Sequence, residues 1–204
     1  MTGMRRSIVR GREVLMTIAL VLGTAPSAFA HPQQSQGQGF LTGVSHPVSG
    51  LDHVLAMIAV GVWGAQLGQP AIWLLPVTFP MVMAFGGFLG LIGVHLPGVE
   101  LGVAVSAVLL GLMVAREAKP RLAVAVALVS VFAVFHGHAH GTELPAGQSG
   151  LAYSIGFVMA TGCLHAVGIA IGVAHKWTMG KVALRLAGGT VALAGAAFVW
   201  RALA

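Results

Sequence analysis

RLAVAVALVSVFAVFHGHAHGTELP, residues 121–145, carries both the fold and the chemistry of this chain in one segment. Nothing from Leu122 to Phe135 is charged, and the apolar stretch 121–139 is long enough to cross a hydrocarbon core of roughly 30 Å as a helix. The run then closes on His136, His138, His140 and Glu143. Ionisable groups at the edge of a membrane span are expensive and are functional candidates by default. On a helix, His136 and His140 lie one turn apart and can hold one ion together, with His138 turned away unless the helix frays. The plain alternative is that histidines at a helix end meet its negative dipole.

Working outward, the composition agrees with a membrane protein. Hydrophobic residues make up 57% of the 204 and charged residues only 8%, against about 25% charged in soluble domains. The 29 glycines suit transmembrane helices packed through small residues. A formal charge of +6 could suggest nucleic acid, but the basic residues sit at the ends of apolar runs rather than on one face, which excludes that partner. Cys163 is the only cysteine, so neither a disulfide framework nor a thiolate cage exists. The expected fold is all-α, a polytopic six-helix transmembrane bundle.

Six apolar stretches fall near 50–68, 71–95, 98–115, 121–139, 151–173 and 182–201. Ahead of them, Arg5, Arg6, Arg10 and Arg12 precede a short apolar run, Val14 to Leu22, and then Ala28-Phe29-Ala30. That is the pattern of a cleaved signal peptide over 1–30, with the transport domain over 31–204. Cleavage leaves seven basic and four acidic groups, a balance of +3, and a polar, mobile leader over 31–45. His31 would then pair a free α-amine with its imidazole. With that N-terminus outside, Arg116, Lys119, Arg121, Lys176, Lys181 and Arg185 all fall inside, as the positive-inside rule requires. Both mature termini are then outside. Gly64/Gly68, Gly86/Gly90, Gly98/Gly102 and Gly168/Gly172 are four apart and read as helix seams, and Pro76 and Pro80 should bend the second span.

The same topology gathers the ionisable residues on the outer face. His46, Asp52 and His53, with Met57 one turn on, stand at the mouth of the first span. His95 ends the second span and Glu100 opens the third; His136, His138, His140 and Glu143 end the fourth. Imidazole with carboxylate suits Ni²⁺, Co²⁺, Zn²⁺ or Cu²⁺, and the lack of thiolates argues against Cu⁺. For Asp52, Ser49-Gly50-Leu51-Asp52 also permits a capping role at a helix start. His165 stands apart, near the middle of the fifth span, where it must face the bundle interior or a wet pathway. A structural interhelical hydrogen bond is the alternative there. His175 lies beyond the inner end.

His46-Pro47-x-x-Gly50-x-Asp52-His53-x-x-x-Met57-x-x-x-Gly61 resembles the signature of the HupE/UreJ family of bacterial nickel permeases. Phe135-His136-Gly137-His138-Ala139-His140-Gly141-x-Glu143-Leu144-Pro145 is similar to that family's second motif, and Ala160-Thr161-x-x-Leu164-His165-x-x-Gly168 to its third. The spacing also resembles the His-x4-Asp-His motif of the separate nickel/cobalt transporter family, but five residues intervene here. The resemblance implies uptake of Ni²⁺, or of Co²⁺, across a bacterial inner membrane for hydrogenase or urease maturation. It carries His46, Asp52, His53, Met57, His136, His138, His140, Glu143 and His165 over as pathway residues, while His95 and Glu100 rest on topology alone. The metal is cargo, and no prosthetic group is expected. No His-Glu-x-x-His motif supplies a metalloenzyme site. A metal-binding accessory or sensor without transport is the rival reading.

Overall fold

The computed structural model describes residues 39–144 and 149–204. The expected signal peptide, His31 and most of the leader lie outside the described residues. What is described is all-helical: α1 (Gly39–Ser49), α2 (Leu51–Leu67), α3 (Ala71–Leu91), α4 (Val99–Ala115), α5 (Leu122–Thr142), α6 (Gly150–Gly172), a 3-10 turn (Val173–Lys176) and α7 (Thr178–Leu203). The long helices are apolar on every side, as helices immersed in lipid are. Trp73, Phe85, Phe88, Leu186, Leu193 and Trp200 point outward and stay exposed. Such a surface suits a hydrocarbon environment and would be an aggregation liability in water.

Among the described residues, four helices are long and apolar enough to cross a membrane: α3, α5, α6 with its 3-10 continuation, and α7. The pair α1–α2 qualifies as a fifth only when taken together, bent by 82° at the break. At 17 residues, α4 is a shorter apolar helix. The first span expected over 50–68 is therefore only the second half of a broken element. Residues 39–45, read as part of a mobile leader, are helical instead. Their local composition hides this, because α1 is held by docking on α6 rather than by propensity. A Cβ on Gly43 would collide with the Tyr153 carbonyl, and one on Gly156 with the Phe40 carbonyl, so the two backbones are in direct contact. Pro47, in the last turn of α1, and Gly50, extended at φ −102° and ψ 119°, mark where the chain turns.

Both halves run along α6 in the same direction. Gly39 and Gly43 meet Ser149 and Tyr153, whereas Gly61 and Ala65 meet Gly168 and Gly172. The break at Ser49–Gly50 thus faces the middle of α6, and His46, Asp52 and His53 stand at a bend within the bundle rather than at a plain helix mouth. Parallel packing of α3 on α5 and antiparallel packing of α4 on α7 complete the bundle. At the far end, the Trp63 indole N–H donates to the Ala118 carbonyl and the Gln66 amide to the Val114 carbonyl, tying α2 to α4.

Two of the four glycine pairs are seams as expected: Gly86/Gly90 against α5 and Gly168/Gly172 against α2. Gly64 faces α3 and Gly102 faces the Phe135 ring. Their partners differ, because Gly68 (φ 78°) and Gly98 (φ 69°) take left-handed turns where no neighbour approaches. Pro76 and Pro80 lie inside α3, which continues through both.

Candidate metal site

Three chain segments meet at the bend. The last turn of α1 supplies His46 and the first turn of α2 supplies Asp52 and His53. The last two turns of α5 supply His136 and His140, with Glu143 just past its end. His46, His140 and Glu143 each offer a ligand atom, and these atoms lie within 4.8 Å of one another. Glu143 Oε2 is 2.9 Å from His46 Nε2 and 3.7 Å from His140 Nδ1, so only the first is a hydrogen bond. The two imidazoles, His140 and then His46, hold the Glu143 carboxyl well below the ordinary carboxylate range despite its partial burial. An exposed carboxylate, a half-buried imidazole and a fully buried one make a graded mouth for a cation.

Inward from that mouth the imidazoles form a contact chain. The His46 and His140 ring centroids are 4.7 Å apart, those of His140 and His53 4.3 Å, and those of His53 and His136 4.7 Å. Phe79 of α3 comes next, 5.5 Å from His136 and 5.4 Å from His165 on its other side. Tyr153 and Phe157 of α6 wall the outer end, 5.7 Å from His46 and 4.3 Å from His140 respectively. An apolar cavity of about 340 Å³ opens beside His140 between α3, α5 and α6, and among the described imidazoles only that of His140 lies on its wall.

Hydrogen bonds decide which ring nitrogens remain bare. Asp52 Oδ1 accepts from both the backbone N–H of His53 and its Nδ1, each at 2.9 Å. The carboxylate therefore does take a first-turn donor, as the capping alternative required, but the same oxygen orients the ring. Ser49 donates to the His46 carbonyl instead of capping, so no capping box forms. His165 Nδ1 donates to the Met57 carbonyl at 2.7 Å, which is the interhelical bond of the structural alternative. It does not exhaust the residue. His53 Nε2, His165 Nε2 and both nitrogens of His140 are buried with no hydrogen-bond partner among the described residues. Buried polar atoms are rarely left so, which makes them natural ligand positions.

The remaining candidates separate. Met57 meets the set through its carbonyl, while its side chain is fully buried. His138 is turned away, as helical spacing required, and its Nε2 donates to the Val94 carbonyl at 2.7 Å. His95 and Glu100 are exposed, make no hydrogen bond or ion pair with another described residue, and do not join the cluster. Thr161 and Cys163, expected beside His165, give it no bond; Thr161 is buried and Cys163 exposed. His175 bonds only its own helix end, at the Gly172 carbonyl. Sequence reasoning missed Phe79, Tyr153, Phe157 and Ser106. Aromatic and hydroxyl residues recur along the apolar spans, and nothing in their spacing distinguishes these four.

Set against known proteins, the chain matches the family model described as HupE / UreJ protein over residues 18–198. It is 48% identical over 161 residues, 79% of this chain and 84% of the relative, to Protein HupE of Rhizobium leguminosarum bv. viciae. No solved structure matches it.

Proposed function

The chain belongs to the HupE/UreJ family, and from that premise we propose that it is a secondary permease carrying Ni²⁺, with Co²⁺ as second candidate, into the cell across the bacterial inner membrane. One observation carries this reading. The His46/His140/Glu143 group is continuous with buried, unpartnered imidazole nitrogens that lead toward His165. Glu143 and His46 capture the hydrated ion, and the carboxylate charge offsets part of the dehydration cost. His140, His53 and His136 replace inner-shell waters in turn, each offering a neutral nitrogen. Binding at each stop is shared among few ligands, so the ion can leave as well as enter. Past Phe79, His165 Nε2 receives it before release to the inner side. His95 and Glu100 are at most peripheral to this route.

The topology that goes with it counts α1–α2 and α4 as spans beside the four long helices, giving six. Both mature termini are periplasmic after removal of residues 1–30. Proteins of hydrogenase or urease maturation are the expected recipients of the metal. The protein performs no chemistry on its cargo and is not an enzyme.

The deciding experiment is uptake of radioactive Ni²⁺ into proteoliposomes holding the purified protein. Saturable accumulation that Co²⁺ competes for, and that Mg²⁺ does not, is the expected result. Metal binding in detergent with no accumulation in vesicles would leave a binding accessory in place of a permease.

A further inference from the structure

We propose that Ser106 is a positioning residue that fixes the tautomer of His136, so that His136 meets the metal through Nδ1 while His53 and His165 meet it through Nε2. The inference rests on the permease reading above for the metal, but its first test does not. Ser106 lies in α4 and is fully buried, as is His136. Its hydroxyl oxygen is 2.6 Å from the Val103 carbonyl one turn back and 2.8 Å from His136 Nε2. A hydroxyl has one proton. A carbonyl can only accept, so that proton is committed to Val103, and Oγ must accept from His136 Nε2–H. Nδ1 is then unprotonated, and it is buried with no partner among the described residues. The opposite tautomer would bury an Nδ1–H with no acceptor and would take the hydroxyl proton away from Val103.

The His53 ring lies next to that of His136, 4.7 Å between centroids. Asp52 holds the proton of His53 on Nδ1, and the Met57 carbonyl does the same for His165. Of these three rings, His136 alone is anchored through Nε2. Second-sphere hydrogen bonds of this kind set both the ring orientation and the basicity of a ligand.

The test uses the full-length protein, labelled with ¹⁵N-histidine in lipid nanodiscs without metal at a pH near 8, with the His136 signals assigned by their loss in His136→Gln. The native protein should show His136 protonated at Nε2. Ser106→Ala should abolish that single-tautomer signature, and its Ni²⁺ affinity by calorimetry should fall by about 10- to 100-fold, the usual loss when an outer-sphere partner is removed. A native His136 protonated at Nδ1 would overturn the assignment. So would a fall in affinity with the tautomer unchanged, which would reduce Ser106 to packing. If the native protein binds no Ni²⁺, the functional reading fails and the spectra alone decide for or against Ser106.

Discussion

The α4–α7 pair and the α2–α6 pair are joined in the same way and used differently. Gly111, Gly188 and Gly195 let α4 and α7 approach until an added Cβ would strike backbone, and the buried residues of α7 are Leu184, Gly188, Ala192 and Gly195. Gly61, Gly168 and Gly172 do the same for α2 and α6, but there His165 lies in the seam and reaches the Met57 carbonyl. Close backbone approach is therefore enough to join helices in this bundle. An imidazole beside such a seam is not needed for the joining and must serve something else. The contrast separates architecture from chemistry within one fold.

The strongest way to sharpen that contrast is to strip the bend of its charge and its ring. Asp52→Asn and His53→Ala should each bring uptake close to background while membrane abundance stays near normal, since a lost cap alone would cost only about 1 kcal/mol. Uptake within about twofold of native in both would make the bend structural. Next, His165→Ala should keep outer-site binding by calorimetry yet lose flux in proteoliposomes by at least about tenfold, because bare passage of charge through the bilayer centre costs several kcal/mol. Full flux would return His165 to the role of a helix tie.

A pH series gives a graded effect. Imidazoles must be neutral to ligate, so any ring that gains a proton as the external pH is taken from about 7.5 to about 5.5 is lost as a ligand. Glu143, held well below the carboxylate range, stays ionised throughout. Uptake should therefore fall as the external pH falls, and stimulation by acid would instead require proton-driven transport. On the architectural side, Gly188→Val should lower abundance through overpacking worth about 1–3 kcal/mol while leaving the Ni²⁺ affinity of the folded fraction unchanged. A changed affinity there would mean the two seams are coupled. The smallest effect is expected for His95→Ala and Glu100→Gln, which should stay within about twofold of native uptake, as exposed substitutions do. A larger loss would enlarge the outer site.

Much of this was legible in the chain. Charge-free runs of about 20 residues can only be spans or buried helices, and the three histidine motifs stand out against so few polar residues. Helical spacing alone separated His136 and His140 from His138. The bend was not legible, because α1 owes its helix to α6, and a Gly-rich segment ahead of Pro47 reads locally as leader. His95 and Glu100 were grouped with the cluster by topology alone, and a shared end of the spans does not by itself bring a side chain to face it. Ser106 was invisible for a third reason, since a hydroxyl in an apolar helix ordinarily bonds its own turn. Here it does that and serves His136 as well.

The backbone contact between helices also bears on how the gene can vary. At Gly43, Gly61, Gly137, Gly141 and Gly168 the obstacle to any side chain is a main-chain carbonyl, which cannot swing aside as a side chain can. Every coding change at those positions meets the same wall, whereas Leu193, Trp200 or Phe85 on the outward faces can be exchanged for other apolar residues at little cost. Saturation mutagenesis scored by growth on limiting nickel should return two populations, lipid-facing sites that accept many residues and glycine sites that accept almost none. Drift is thus channelled outward, and a lineage could replace much of its lipid-facing surface while its interior stays all but fixed.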